Sequence, residues 1–202
     1  MSNQGTPEWL AERLGYVTAS RISNVLSKGK GLAESLTRKK YLYQIIAERL
    51  SNQPQESYTN SSIQWGTETE PLARLAYESE TCNFVTEVGF VKHPTIEWTG
   101  ASPDGLVGDD GLIEIKCPNT STHIDTLLND TIDKAYVYQM QWQMECTGRA
   151  WCDFVSYDPR IGESNALKVI RVNRDNELIK TIKKSIAEFL AEIETIIKKL
   201  KD

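Results

Sequence analysis

The residues best suited to chemistry lie in one short segment, SPDGLVGDDGLIEIKCP, which runs from Ser102 to Pro118. Its Asp109-Asp110-Gly111 sequence is typical of a hairpin turn, so the flanking residues are predicted to pair as antiparallel strands. That pairing would bring Asp104, near the start of the first strand, next to Glu114 in the second. Two ionised carboxylates held close together repel each other unless a cation lies between them.

A hard divalent cation is the predicted partner of these two carboxylates. Oxygen ligands favour Mg²⁺ or Mn²⁺ over zinc, and Mg²⁺ usually keeps several waters and uses one or two carboxylates together with substrate phosphate. The main-chain carbonyl of Ile115 is a candidate further ligand, and Glu70 is a candidate third carboxylate, directly or through water. A metal-bound water loses its proton more easily and becomes a nucleophile. The predicted chemistry is metal-assisted hydrolysis of a phosphodiester.

Lys116 completes this candidate site. Side chains alternate between the two faces of a strand, so Glu114 and Lys116 share one face. Ile113 and Ile115 share the other face and are expected to point to the core. An ammonium beside a metal site can orient the attacking water and stabilise charge on the phosphate. Acidic hairpins with salt-bridged surfaces also produce the spacing D-x(9)-E-x-K, but the apolar neighbours of Glu114 and the abrupt strand end at Cys117 favour the catalytic interpretation.

The length and composition predict one domain, residues 1–202, with a substantial core, because the chain has 202 residues and 40% hydrophobic content. Its formal net charge is −5, yet this charge is unevenly distributed. The stretch from Arg13 to Arg49 has eight basic and two acidic residues, whereas that from Leu50 to Glu114 has two basic and eleven acidic residues. This order suits an enzyme that binds phosphates with one region and cations with another, although solvated helix faces of different sign would give the same pattern.

We expect neither a metal cluster bound by cysteines nor insertion of the chain into a membrane. The cysteines and histidines are unevenly spaced and form no C-x-x-C pair: Cys82, Cys117, Cys146, Cys152, His93 and His123. We therefore expect no structural zinc, no disulfide framework and no iron–sulfur cluster. No apolar run approaches the roughly 20 residues of a membrane span, and the segment from Met1 to Arg13 lacks the features of a signal peptide. The expectation is a cytoplasmic protein with no membrane partner.

Apolar periodicity predicts helices towards both ends of the chain and strands in its centre. The predicted helices cover residues 20–28, 37–50, 67–80 and 135–146. The predicted strands cover 84–91, 97–102, 105–107, 112–116, 150–158 and 166–174. A long amphipathic helix ends the chain, with an apolar face of Leu178, Ile182, Ile186, Phe189, Ile193, Ile196 and Leu200. The pattern predicts an α/β fold with a mixed sheet and helices on both faces.

Two local features concern the predicted helix starts. Ser20 is a candidate N-cap of the first helix. Pro71 is predicted to lie near the first turn of the third helix, where its missing N–H costs nothing. That assignment places Glu70 at the start of the helix.

Six sequence blocks occur in a recognisable order: RLGYVTAS (13–20), WGTETEPLAR (65–74), SPDGL, IEIKCP, AYVYQMQWQM (135–144) and YDPR (157–160). Together they resemble the phage lambda exonuclease-like family of viral alkaline exonucleases, within the PD-(D/E)XK nuclease superfamily. The resemblance extends from residue 9 to about residue 200 and implies a restriction-endonuclease-like PD-(D/E)XK core, with a central mixed β-sheet flanked by helices and a long C-terminal helix. The stretch from Ser27 to Thr37 does not align, so no role is carried over to it.

The resemblance implies a role for each catalytic residue. It implies Mg²⁺ as cofactor, with Mn²⁺ able to substitute, and four metal ligands: Asp104, Glu114, Ile115 through its carbonyl, and Glu70. Lys116 resembles the catalytic lysine. Gln139 resembles the glutamine that helps position the attacking water or the lysine, with a solvated helix residue as the alternative. Glu68 competes with Glu70, but the spacing WG-x-x-x-E favours Glu70.

Arg13, Ser20 and Ser102 resemble a pocket for the 5′-phosphate of the strand being cut. An arginine presents a planar fork that suits phosphate oxygens, and serine hydroxyls add donors without bulk. The simpler alternatives are a surface cation at a helix end for Arg13 and only an N-cap for Ser20. Trp65 and Trp142 are expected to pack in the core rather than to stack on bases.

The implied activity is Mg²⁺-dependent 5′→3′ exonuclease digestion of one strand of linear double-stranded DNA. The exposed 3′ strand would pass to a single-strand-annealing protein, and the resemblance implies a homotrimeric ring in the cytoplasm of a bacterial host that carries the phage or prophage. Two alternatives stay open: a PD-(D/E)XK endonuclease, and a catalytically silent DNA-binding module of the same fold. A pocket for a terminal phosphate favours the exonuclease, and a retained pair of repelling carboxylates favours catalysis.

Overall fold

The computed structural model describes residues 4–29, 33–55 and 61–202. Its helices are α1 (Pro7–Arg13), α2 (Ile22–Val25), α3 (Leu36–Ser51), α4 (Ser61–Thr81), α5 (Thr120–Asn129), α6 (Lys134–Thr147) and α7 (Asn176–Lys201). Its strands are β1 (Val17–Thr18), β2 (Val85–Thr86), β3 (Val91–Lys92), β4 (Thr99–Ala101), β5 (Gly105–Val107), β6 (Gly111–Lys116), β7 (Trp151–Tyr157) and β8 (Leu167–Asn173). Within these ranges, no helix is both long and apolar enough to cross a membrane.

The strands form a five-stranded mixed sheet with the order β2-β5-β6-β7-β8 and a smaller sheet with the order β1-β4-β3. In the larger sheet β6 runs parallel to β7, and the other neighbours are antiparallel. The chain between β6 and β7 forms α5 and α6, since parallel neighbours need a long crossover connection. The mixed sheet with flanking helices confirms the predicted fold class.

Strand β6 lies in the centre of the larger sheet, and helices cover both of its faces. Ile113 and Ile115 pack with Ala73 and Tyr77 of α4. The opposite face packs with methionines of α6. The predicted alternation of faces is confirmed, yet the face that carries Glu114 is buried as well, and Glu114 has no solvent exposure. The site therefore lies against α6 rather than on an open sheet surface.

The hairpin between β5 and β6 turns one residue earlier than predicted. Its turn residues are 108–110, Gly108 has a φ of 51°, and Gly111 is already the first residue of β6. Gly111 is required for a different reason, because a Cβ at this position would lie 2.1 Å from the ring of Trp151. The glycine assigned to the turn thus permits close packing between β6 and β7.

The predicted start of the third helix is wrong. Helix α4 begins at Ser61, so Pro71 lies inside it and Glu70 lies in its middle. A proline inside a helix removes one backbone hydrogen bond. Burial of Ala73 and Tyr77 against the larger sheet stabilises the helix on the far side of the proline.

Three helix starts near the site also differ from the sequence pattern. Ser20 is not an N-cap, because it lies within a 3₁₀ turn that precedes the single-turn helix α2. Helices α1 and α5 are not predicted by apolar periodicity, yet each has a side-chain cap at its first residues. Thr6 Oγ1 accepts from the backbone N–H of Trp9 at 3.3 Å, and Asn119 Oδ1 accepts from that of Thr122 at 2.9 Å.

Helix α7 covers the core with one apolar face, which buries Ile179, Ile182, Ile186, Phe189, Ile193 and Ile197. It packs on α3, where the rings of Tyr41 and Phe189 stack with centroids 5.6 Å apart. The predicted face is confirmed in the middle of the helix and wrong at its end, where Leu200 is 63% exposed. The helix buries Ile197 instead, so its contact with the core ends earlier than the sequence pattern predicts.

This end of α7 allows a matched test of the packing. Ile193→Ala should lower the free energy of unfolding by about 2–5 kcal/mol, because a fully buried isoleucine leaves a cavity. Leu200→Ala should change it by no more than roughly 0.5 kcal/mol. Urea unfolding followed by circular dichroism measures both changes. Equal effects of the two substitutions would show that the described contact face of α7 is wrong.

Candidate active site

The hairpin of β5 and β6 brings Asp104 and Glu114 to one cavity of about 160 Å³. Asp104 immediately precedes β5, and its Oδ2 accepts a hydrogen bond from the backbone N–H of Ile115 at 2.7 Å. Lys116 and Gln139 line the same cavity. The structure therefore groups four of the predicted catalytic residues around one small space.

Three donors surround the carboxylate of Glu114. Gln139 Nε2 donates to Glu114 Oε1 at 2.6 Å, and Lys116 Nζ donates to the same oxygen. Gln143 Nε2 donates to Oε2 at 2.6 Å. These three hydrogen bonds satisfy both oxygens of a carboxylate that has no solvent contact. Gln143 is not predicted by the sequence pattern, although it follows Gln139 at the i,i+4 spacing that places two side chains on one helix face.

Burial and neighbouring charges shift the pKa values of Asp104 and Lys116 in this cavity. Removal from solvent raises the pKa of Asp104 well above its usual value, and the charge of Glu114 raises it further. Burial alone would lower the pKa of Lys116, but the carboxylates of Glu114 and Asp104 outweigh that effect and raise it. Lys116 is therefore an ammonium at neutral pH. The charges of Asp104 and Glu114 repel each other, and a cation bound between the two carboxylates would offset that repulsion.

The donor set fits a hard divalent cation held directly by the carboxylates of Asp104 and Glu114. Ile115 and Glu70 do not line this cavity but an adjoining one of about 890 Å³, which Lys116 and Gln139 line as well. The Ile115 carbonyl is a candidate further ligand at this border. Glu70 Oε1 accepts from Arg74 Nη2 at 2.9 Å, so Glu70 is a candidate for contact through water rather than for direct coordination. Its charge still contributes to the raised pKa of Asp104. Among the residues described, no three His, Cys, Asp or Glu side chains are grouped to hold a metal ion.

The three residues predicted to bind a 5′-phosphate line the 160 Å³ cavity as well: Arg13, Ser20 and Ser102. The Arg13 guanidinium lies over the ring of Trp9, with Cζ 3.8 Å from the ring centroid. Trp9 Nε1 also donates to Ser102 Oγ at 3.1 Å. Burial lowers the pKa of Arg13 to about 10, so this side chain is a cation at neutral pH. Trp9 thus orients two of the three pocket residues, although the sequence pattern assigns it no role.

Helix α3 fixes the loop that carries Arg13. Glu48 Oε2 accepts from the backbone N–H of Gly15 at 3.0 Å, and Arg49 Nε donates to the Gly15 carbonyl at 2.9 Å. Gly15 has a φ of 74°, a conformation that favours glycine. A buried tyrosine of α3, Tyr41, accepts from the backbone N–H of Thr18 at 3.3 Å. The block RLGYVTAS therefore forms one wall of the cavity because its backbone is bonded to α3.

The YDPR block joins α4 to the end of β6. Asp158 is fully buried and accepts from Arg160 Nε at 2.7 Å and from Thr120 Oγ1 at 2.6 Å. Arg160 Nη2 donates to the carbonyl of Pro118 at 3.2 Å, and the guanidinium lies over the ring of Trp65. These contacts hold the segment after Lys116 against the helix that carries Glu70. Trp65 packs on this arginine, and the predicted core role of Trp142 is confirmed by its full burial.

The Asp158–Arg160 pair gives a pH-dependent prediction. Hydrogen bonds from Arg160 hold the pKa of Asp158 well below its usual range, so the pair stabilises the fold at neutral pH. This contribution is lost as the pH falls below about 4, where the carboxylate of the unfolded chain is already protonated. Asp158→Asn should therefore lower stability by about 1–3 kcal/mol at pH 7 and weaken its decline in acid.

Thermal unfolding between pH 7 and pH 3 measures this difference. Asp109→Asn, in the exposed turn, is the matched control and should follow the wild-type curve. An Asp158→Asn curve parallel to the wild type at every pH would contradict the assigned ion pair.

Comparisons with known proteins identify the family of this chain. A family model described as the YqaJ-like viral recombinase domain matches residues 8–150. The alkaline exonuclease LHK-Exo from Laribacter hongkongensis is 49% identical, with a TM-score of 0.90 over 97% of this chain and 96% of that chain. LHK-Exo in complex with dAMP is 50% identical, with a TM-score of 0.91 and the same coverage. The search of curated proteins gave no significant match.

A more distant structure shows the same fold. It is a phage-related exonuclease from Haemophilus somnus 129PT, 19% identical, with a TM-score of 0.74 over 92% of this chain and 96% of that chain. Together with the family match, these structures confirm the resemblance to viral alkaline exonucleases that the six sequence blocks indicate.

Proposed function

Because the chain belongs to the YqaJ-like viral recombinase family, we propose that it is a Mg²⁺-dependent 5′→3′ exonuclease that acts on linear double-stranded DNA. It digests one strand and leaves a 3′ single-stranded overhang for recombination by strand annealing. One observation carries this proposal: the two carboxylates, Lys116 and the residues of the phosphate pocket line the same 160 Å³ cavity. A reacting phosphate and a terminal phosphate can therefore bind next to each other.

Asp104, Glu114 and the carbonyl of Ile115 are the residues that would hold Mg²⁺, with Mn²⁺ able to substitute. When bound, the cation supplies electrostatic stabilisation of the phosphate under attack and lowers the pKa of a coordinated water. Gln139 and Gln143 support this role from α6, since their amides fix both oxygens of Glu114. Outer groups that orient a ligand in this way commonly affect metal affinity.

Lys116 acts as a donor rather than as a general base. Its raised pKa keeps it protonated, and its Nζ lies 5.0 Å from the ring centroid of Tyr136. The ammonium is bonded to Glu114 and faces the cavity, so it can donate to a phosphate oxygen or orient the attacking water. Gln139 binds Glu114 directly, which supports a role in orienting the carboxylate.

The pocket of Arg13, Ser20 and Ser102 supports action at a strand end. A cationic, half-buried arginine beside two hydroxyls binds a dianionic terminal phosphate more strongly than the singly charged phosphate of an internal linkage. Its position beside the carboxylates limits the product to a short fragment of the 5′ end. These features favour an exonuclease over an endonuclease of the same fold.

We extend the proposal to the assembly. Residues 1–202 act as a single exonuclease domain, three copies form a ring around DNA in the cytoplasm of a bacterial host, and a single-strand-annealing protein receives the 3′ strand. Exposed apolar side chains on α4 and α5 support subunit or partner contacts, with exposures of 52% for Leu72, 63% for Leu75 and 77% for Leu128.

Digestion of linear and circular duplexes tests the central activity. The wild type should release nucleotides from linear DNA with Mg²⁺, none with a chelator, and none from closed circles. Lys116→Ala should reduce the rate by about 10²–10³-fold, the usual loss when one such donor is removed. The control Lys184→Ala removes an exposed ammonium and should retain the wild-type rate.

A loss below tenfold for Lys116→Ala would overturn its catalytic assignment. Cutting of closed circles would replace the exonuclease with an endonuclease, and binding without hydrolysis would indicate a silent DNA-binding module.

Arg13→Ala tests the phosphate pocket. The wild type should digest ends with a 5′-phosphate faster than ends with a 5′-hydroxyl, and the substitution should reduce that preference by about tenfold or more, since it removes charged hydrogen bonds. Arg13→Lys keeps the charge without the planar fork and should retain part of the preference. Initial rates on the two kinds of end measure the effect. An unchanged preference in Arg13→Ala would show that the pocket lies elsewhere.

A further inference from the structure

A second groove adjoins the phosphate pocket on the side away from the reacting carboxylates. Its volume is about 590 Å³, and the residues that define it here are Trp9, Arg13, Tyr16, Arg21, Gln44 and Glu48. We call it the 5′-side groove. Arg13, Thr18 and Ser20 line both this groove and the 160 Å³ cavity. Asp104, Glu114 and Lys116 do not line it.

This placement defines a direction along a bound strand. A phosphate held at Arg13 has the catalytic residues on one side and the 5′-side groove on the other. A terminal 5′-phosphate has no atoms beyond it to occupy the groove. A phosphate that links two nucleosides would have one nucleoside on that side.

The chemistry of the groove suits a nucleoside better than a further phosphate. Arg21 is exposed, with its Cζ 4.8 Å from the ring centroid of Tyr41 and its Nη2 3.4 Å from Gln44 Oε1. Gln44 Nε2 donates to Glu48 Oε1 at 2.9 Å, so a buried carboxylate lies beneath the amide. A carboxylate repels a phosphate. Aromatic rings, an amide and an arginine are the groups that bind single nucleobases without strict sequence preference.

We propose that the 5′-side groove binds the terminal nucleoside of a strand that ends in a 5′-hydroxyl and so allows digestion of that strand to begin. The inference rests on the proposed exonuclease function. A 5′-hydroxyl strand has no terminal phosphate for Arg13. If the strand moves inward by one nucleotide, its first internucleotide phosphate occupies the pocket and its terminal nucleoside enters the groove.

The first cut on such a strand falls at the second internucleotide linkage. Water attacks that phosphorus, the P–O3′ bond breaks, and the leaving 3′ oxygen ends as a hydroxyl after taking up a proton. The released product is a dinucleoside monophosphate with hydroxyls at both ends. The remaining strand begins with a 5′-phosphate, so each later turnover releases an ordinary mononucleotide. The first cut thus converts a strand that lacks a terminal 5′-phosphate into one that has it.

Mass spectrometry of the earliest products tests the inference. Blunt duplexes that differ only in a 5′-phosphate or a 5′-hydroxyl are digested by the full-length protein with Mg²⁺. The 5′-hydroxyl duplex should give one dinucleoside monophosphate per strand, and the 5′-phosphate duplex should give only mononucleotides. A free nucleoside as the first product, or no digestion of 5′-hydroxyl ends beside normal digestion of 5′-phosphate ends, would overturn the inference. No digestion of either duplex would overturn the proposed function itself.

Two variants locate the effect in the groove. Gln44→Trp fills the groove, and Arg21→Ala removes its exposed cation. Each should lower the rate on 5′-hydroxyl ends by about tenfold relative to the rate on 5′-phosphate ends, as expected for the loss of one base contact. Lys184→Ala removes a cation from α7 and should leave that ratio unchanged. If Arg21→Ala and a folded Gln44→Trp both keep the wild-type ratio and product, the groove does not hold the terminal nucleoside.

Discussion

The buried carboxylate of Glu114 is the constraint on which the rest of the site depends. An ionised carboxylate without solvent is unfavourable unless donors and a cation surround it. Here Gln139 and Gln143 donate to its two oxygens, and Lys116 adds the nearest positive charge. Strand β6 must therefore be central, with α6 packed on one face, for these donors to reach it. Asp104 then adds a second carboxylate, whose pKa is raised first by burial and then by the charge of Glu114.

The proposed phosphate pocket depends on contacts between segments that are far apart in the chain. Trp9 on α1 binds both Arg13 and Ser102, and α3 binds the backbone of the loop between Arg13 and Ser20. Arg160 holds the end of β6 against α4. Arginine or tryptophan side chains make most of these links, and the carboxylate of Glu48 makes one to the backbone of Gly15. Four of the six sequence blocks that resemble viral alkaline exonucleases thus meet around the 160 Å³ cavity, while WGTETEPLAR lines the adjoining cavity and YDPR supports the segment between them.

How much of this arrangement is predictable from the sequence depends on how local each contact is. Asp104 and Glu114 belong to one hairpin, so strand alternation and a turn motif are enough to bring them together. The sequence pattern wrongly predicts Glu70 at a helix start, because a proline such as Pro71 is typical of a first helical turn. In the structure, α4 continues through this proline because the helix packs against the larger sheet. The role of Gln143 cannot be predicted from the sequence, because its partner, the buried carboxylate of Glu114, is brought next to α6 only by the fold. The contact of Trp9 with Arg13 follows from i,i+4 spacing, but only once α1 is known to be a helix.

We propose that Asp104 and Glu114 hold a divalent cation between them, and the proposed activity depends on this cation. Crystals of the protein grown with Mn²⁺ and measured near the manganese absorption edge provide the most direct measurement. In the wild type, we expect an anomalous peak within coordination distance of both carboxylates, at about 2.0–2.6 Å as for hard cations with oxygen ligands. In Asp104→Asn, that peak should be lost. A wild-type map without a peak at this position, or with the two side chains turned away from each other, would show that the two carboxylates do not share a cation.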